Sequence, residues 1–184
     1  SDPDAALHYL ARLLKGGDLK SIGRRLLVIA SEDIGLAYPS AISIVKACVD
    51  AALQVGLPEA QINLSQAVIL LATSPKSNSA AQGIGEAMAD LERRNLGELP
   101  AHLRDAHYGG AAKLGHGLSY KYPHDYPNHY VKQQYMPDAL EGTVYYHPGE
   151  NKNERAIRQY MQDLKKEESV SYTHLRAHET RRHL

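Results

Sequence analysis

The chain has 184 residues, 43% of them hydrophobic, with 21 basic and 21 acidic side chains and a single cysteine. That length and apolar content suffice for one good core or two small ones, and the balanced charge removes the footprint of a strongly basic nucleic-acid binder, leaving only a local patch. Cys48 rules out an intramolecular disulfide framework and lies in an apolar stretch, where a buried, inert thiol is expected. No run approaches the roughly 18 apolar residues of a membrane span, and the opening SDPDAALHYL lacks the basic start and apolar centre of a signal peptide, so the cytoplasm is the expected location.

The first half is punctuated as a series of short helices. Asp2 and Pro3 make an N-cap and first-turn pair, Ala6, Leu7, Leu10, Leu13 and Leu14 form an apolar stripe, and Gly16-Gly17 stops it. Asp18 caps a second predicted helix in which Ile22, Leu26, Ile29 and Ala30 recur at helical spacing until Gly35. Pro39 or Ser40 opens a third, with Ile42, Val45, Val49, Ala52 and Leu53 ahead of Gly56. The fourth, NLSQAVILLATSP at 63–75, is apolar on nearly every side, and a helix without a polar face belongs in the middle of a bundle. Ser77 or Ser79 caps a fifth through Ile84, Met88 and Leu91. Five helices joined by short loops predict an all-α fold, a compact helical bundle over residues 1–98.

From residue 99 to 168 the grammar changes. Five of the nine prolines fall at 100, 123, 127, 137 and 148, which forces extended or turn geometry on the residues before them. EGTVYYHPGE at 141–150 is expected to supply a short strand pair. NKNERAIRQYMQDLKK then predicts an amphipathic helix with Ile157, Tyr160, Met161 and Leu164 on one face. The end, SVSYTHLRAHETRRHL at 169–184, does not continue the pattern and is expected to be a non-native tail.

The stretch HGLSYKYPHDYPNHYVKQQYMPD at 116–138 admits three chemistries. His124, Asp125 and His129 are ligand-type side chains, but a zinc site needs three or four at coordinated positions and no cysteine is near. Tyrosines interleaved with Lys121 and Lys132 are suited to stacking and holding single-stranded nucleic acid. The favoured reading is structural: tyrosines contribute large apolar area with a hydroxyl that satisfies the backbone of a proline-broken segment, which suits a subunit interface. Tyr126, Tyr130 and Tyr135 are the interface candidates, and Lys76, Arg93, Arg94, Arg104, Lys113, Lys121 and Lys132 the candidates for DNA contact. Elsewhere, Ser43 and Lys46 have a serine-x-x-lysine spacing without its partner motifs. Glu32 and Asp33, adjacent on a helix, point apart, so a helix-end hydrogen-bonding role is favoured over acid-base work. Lys76, Ser77, Asn78 and Ser79 offer donors at a helix start, where capping is favoured over binding of an anion.

Three separated motifs, ASEDIGLAYPSA (30–41), AVILLATSPKSNSA (67–80) and YKYPHDYPNHYVKQQYMPD (120–138), stand in the order in which the chain resembles the C-terminal region of the replication-associated recombination protein A family. These AAA+ ATPases are the bacterial relatives of the Werner-helicase-interacting ATPase. The resemblance implies a helical domain akin to the collar of clamp-loader subunits, followed by a family-specific extension, assembling the ATPase into a homotetramer. It also implies a parent protein that uses ATP and magnesium, acts at stalled forks and gapped DNA near the nucleoid, and associates with single-stranded-DNA-binding protein. The phosphate loop itself, a glycine-rich turn ending in Gly-Lys-Ser/Thr, is not in this sequence; the nearest string, GGDLKS at 16–21, reads as a helix stop followed by a start. The stretch in hand is therefore expected to be non-catalytic and to hold no cofactor.

Overall fold

Helix ends fall where the local chemistry sets them. In α1 (Pro3–Lys15) the Asp2 carboxylate accepts the Ala5 N–H at 2.9 Å, and the Gly16 and Gly17 N–H groups close back onto the Leu13 and Leu14 carbonyls. Asp18 starts α2 (Leu19–Ile29) by accepting both the Ser21 N–H at 3.0 Å and its hydroxyl at 2.6 Å. Those bonds, the hydroxyl's first, hold its carboxyl below the usual range. The helix then widens into a π turn, Ala30–Ile34, and a 3-10 turn, Gly35–Ala37. After it come α3 (Ala41–Val55), α4 (Ala60–Thr73), α5 (Ser79–Arg93) and α6 (Lys152–Thr180). This computed structural model describes residues 1–93, 95–104 and 120–180, with side chains to residue 166.

The chain forms two compact units, one of Ser1–Glu86 with Tyr145–Ile157, the other of Ala87–Val144 with Arg158–Leu184. In the first, α4 packs against α1, α2 and α3, which is the central place its nearly all-apolar sequence predicts. Leu64, Ala67, Val68 and Leu71 of α4 meet Leu10, Ile22, Leu26, Val45 and Val49 in one core, with Cys48 among them. Burial pushes the Cys48 thiol up, away from the thiolate a nucleophile needs. Ala52, Ala60 and Ala67 are at most 1% exposed, and their small side chains let α3 and α4 approach closely. The fourth helix begins three residues earlier than its sequence pattern suggests, and Ile62 and Ile69 remain exposed.

In the second unit, proline sets the architecture. Among the described residues, the 3-10 turns Ala101–Leu103, Pro123–Asp125, Pro127–His129 and Asp138–Leu140 each either follow a proline directly or begin with one. Val131 and Leu140 are buried there.

One expectation is corrected. Residues 141–150 form no strand pair, and no strand occurs among the described residues. Gly142 sits at φ 82°, and Pro148 and Gly149 interrupt the following run. Instead the backbone of Tyr145 runs directly over Gly83 of α5, where an added Cβ would lie 2.9 Å from the Tyr145 carbonyl oxygen. The last helix forms where the sequence places it, and on its apolar face Tyr160 is 60% and Met161 42% exposed.

Candidate functional site

The sequence motifs of the first unit converge on one junction. Gly35 takes φ 45°, a conformation that glycine adopts without strain, and its missing side chain leaves room for the Ser77 carbonyl, which would be 2.6 Å from a Cβ. The Ser77 N–H donates to the Asp33 carbonyl at 2.8 Å, so Asp33 contributes backbone here. Ser77 Oγ accepts the Ser79 N–H at 3.3 Å and lies 3.0 Å from Ser79 Oγ. Ser79 Oγ in turn donates to Glu154 Oε1 at 2.5 Å, joined there by the Tyr146 hydroxyl at 3.2 Å. Asn151, at the start of α6, accepts the Glu154 N–H at 2.9 Å through Oδ1 and donates through Nδ2 to Glu154 Oε2 at 2.5 Å. Asn153 reaches back to the Leu36 carbonyl at 2.7 Å.

Glu154 is fully buried. Burial by itself would raise its carboxyl, but hydrogen bonds from Ser77, Ser79, Asn151 and the Gly149 N–H outweigh that and bring it down to about 2. The anion at the start of α5 is the chain's own carboxylate, placed where the helix N-terminus and two serines favour negative charge. A group held ionised with both oxygens engaged positions segments and is poorly matched to proton transfer near neutral pH. The signal that could have found it is Asn151-x-x-Glu154, a capping pattern ahead of an apolar-periodic run. Ser43 and Lys46 form no catalytic pair, since Lys46 is bonded to Asp50 at 2.5 Å one turn on.

The other candidates divide between the units. Lys76 lies in the first, exposed, with its ammonium 3.4 Å from the Leu71 carbonyl. Arg93, Lys121 and Lys132 lie exposed in the second. Arg104 is engaged by Glu98 at 2.5 Å and by the Leu99 carbonyl at 2.8 Å. Arg94 and Lys113 lie outside the described residues. Tyr126 and Tyr135 are 37% and 48% exposed, and Tyr130 is half-buried. Glutamines, which the sequence reading passed over, anchor this proline-broken segment. The Gln133 amide donates to the Lys121 carbonyl at 2.8 Å and accepts its N–H at 3.2 Å, and Gln134 donates to the Met136 carbonyl and to Asp138. The rings of His124 and His129 meet at a tilt, with centroids 4.7 Å apart, and Tyr122 lies 5.1 Å from His124 in a similar tilted contact.

Two further apolar features stand out. On α5, Ile84, Met88 and Leu91 are 63%, 51% and 62% exposed. In the first unit, α1, α2 and α4 flank a cleft of about 380 Å³ whose floor includes Leu10, Ile22, Leu26 and Leu71.

The C-terminal family model of the MgsA AAA+ ATPase matches residues 1–165. The chain belongs to that family. It is 55% identical over 167 residues to replication-associated recombination protein A of Bacillus subtilis, covering 90% of this chain and 40% of that protein. Identity to an uncharacterized AAA domain-containing protein of Mycobacterium tuberculosis is 51%, over 85% of this chain and 35% of the relative. For replication-associated recombination protein A of Escherichia coli K12 it is 39%, over 80% and 34%. The chain thus spans well under half the length of these relatives. No helix among the described residues is long and apolar enough to cross a membrane.

Proposed function

We propose that the chain is the non-catalytic homotetramerisation module of an AAA+ ATPase that acts in replication-fork maintenance and in recombination and repair. Family membership supplies the ATPase context. The observation that carries the assembly role is the large apolar surface left open on so small a fold: Ile84, Met88 and Leu91 on α5, and Tyr126 and Tyr135 in the second unit. Removing such area from water is worth about 25 cal/mol per Å², and open patches of large side chains mark interaction surfaces. Tyr126, Tyr130 and Tyr135 are candidate anchors because tyrosine combines apolar area with a polar tip. In the intact protein, ATP and magnesium belong to the ATPase portion, and DNA and single-stranded-DNA-binding protein are its partners, in the cytoplasm at the nucleoid. Light scattering of the chain at micromolar concentration should report about four times the chain mass of 20.3 kDa. A persistent monomer rejects the reading. A tetramer indifferent to alanine at all three tyrosines rejects those anchors alone.

One observation favours a second reading, a nucleic-acid contact in the second unit. Lys121 and Lys132 are exposed in the same segment as Tyr120, Tyr122 and Tyr126, each at least 37% exposed, which is the composition of a stacking platform. Filter binding of single-stranded and gapped DNA across a salt series separates the two, since phosphate contacts give a steep loss of affinity with salt.

A further inference from the structure

We propose that the corner between α1 and α2 in the first unit is a binding surface for the phosphate backbone of nucleic acid, formed by Arg12, Lys15, Lys20, Arg24 and Arg25. This rests on the replication and recombination role proposed above for the intact protein and does not depend on its assembly. Over residues 12–25 the chain carries five basic side chains and one acidic, whereas the remainder carries 16 and 20. The neutral total therefore conceals a local concentration of positive charge. Folding keeps it together. Helix α1 ends at Lys15, Gly16 and Gly17 make the turn, and α2 starts at Leu19, so all five cations lie within about 10 Å of the turn at 1.5 Å per residue.

These cations have no internal use. All five residues are exposed, and none of their side chains makes a hydrogen bond or ion pair among the described residues. The acid in the run, Asp18, has its carboxylate committed to the Ser21 N–H and hydroxyl. Asp2 and Asp33 line the same cleft as Arg25 but lie ten residues before Arg12 and eight after Arg25, beyond the far ends of the two helices. Helix stability does not account for the pattern either. Basic residues in the last turn of α1 suit its dipole. Lys20, however, sits in the first turn of α2, where the dipole disfavours a cation, and Lys20 and Arg24 are like charges one turn apart on one face. A local rule broken without an internal partner marks a functional position.

The ligand that fits is a dense line of negative charge. Duplex DNA presents one charge about every 1.7 Å of its axis, close enough to meet several cations of so small a patch at once, and its phosphate oxygens accept from arginine and lysine alike. An extended acidic polypeptide offers at most one charge per about 3.4 Å and meets fewer. Contacts to phosphate position a protein without reading bases, so binding should not depend on sequence.

Fluorescence anisotropy with labelled duplexes of two unrelated sequences, across a salt series, tests this in three proteins: the unmodified chain, Lys20→Gln with Arg24→Gln, and Lys152→Gln with Lys165→Gln, which makes the same charge change on α6. Relief of a like-charge pair means that the corner variant should melt no lower than the unmodified chain; should it fail to fold, Arg12→Gln with Lys15→Gln carries the same expectation. Both duplexes should bind the unmodified chain alike. In the corner variant the slope of log affinity against log salt should become shallower by about 2 for each copy engaged, while the α6 variant keeps the original slope. An unchanged slope in the corner variant overturns the proposal, and loss of binding in Lys121→Gln would then assign the contact to the second unit. Tighter binding of polyglutamate than of either duplex overturns nucleic acid as the ligand. An unmodified chain that binds neither duplex overturns the site. If the intact protein then binds them, the replication and recombination role stands with its DNA contact in the ATPase portion; if it too fails to bind, that role falls with the site.

Discussion

At the scale of single residues, Glu154 stands out as the buried charged side chain among the described residues. Its carboxylate sits out of water with no cation paired to it among the described residues, held by the Ser77 and Ser79 hydroxyls, the Asn151 amide, the Gly149 N–H and the Tyr146 hydroxyl. Glu154→Gln keeps the shape but removes the charge and turns donors against a new donor, so a loss of about 2 kcal/mol in urea unfolding at pH 7 is expected. The pH dependence follows from the direction of the shift. The folded carboxyl titrates at about 2 against an ordinary 4.5, so its contribution is complete above the ordinary value and disappears as pH falls through the lower one. The stability gap between the parent and Glu154→Gln should therefore be constant from neutrality down to about pH 5 and close on further acidification. A gap that persists unchanged at pH 2 would show that packing, not the charge, is what the substitution removes.

At the scale of elements, α5 contains a paired control. Gly83 lies beneath the Tyr145 carbonyl, whereas Gly85, two residues on, has nothing within 4 Å of where a Cβ would be. Gly83→Ala should displace the 145–146 backbone and cost about 1–3 kcal/mol, while Gly85→Ala should stabilise by up to about 1 kcal/mol through helix propensity alone. Thermal unfolding of the two single variants checks both signs, and equal shifts in the same direction would contradict the close approach of that segment to α5. Hydrogen exchange locates the effect: Gly83→Ala should loosen residues 145–157 and leave α3 and α4 protected.

For the whole molecule, the sequence carries no Gly-Lys-Ser/Thr turn to bring backbone amides and a lysine onto a triphosphate. Titration calorimetry of the chain with ATP and magnesium is expected to show no binding at micromolar strength and no turnover. Binding of that strength would require a phosphate cradle built from other residues. The assembly experiments belong to the same scale, because an all-α chain that leaves Ile84, Met88, Leu91, Tyr160 and Met161 open presents more apolar surface than solubility needs.

The helices of the first unit could be read directly from the chain, because their determinants are local. Asp2, Asp18 and the Gly16-Gly17 pair act on backbone groups within a few residues of themselves, and the apolar run of α4 dictates a central position whatever its neighbours are. The serines at 77 and 79 were equally legible as donors at a helix start. What the sequence left open is everything that depends on residues far apart in it. Glu154 lies 75 residues from Ser79, and nothing in the local pattern says that its carboxylate is the anion those serines hold. The same holds for residues 141–150, where β-branched and aromatic residues suggest a strand but Gly83 offers a groove for the backbone. Periodicity marks Ile84, Met88 and Leu91 as one face of a helix, yet only the tertiary structure leaves that face toward solvent. Pattern fixes which residues share a face, whereas the packing of distant segments decides what the face meets.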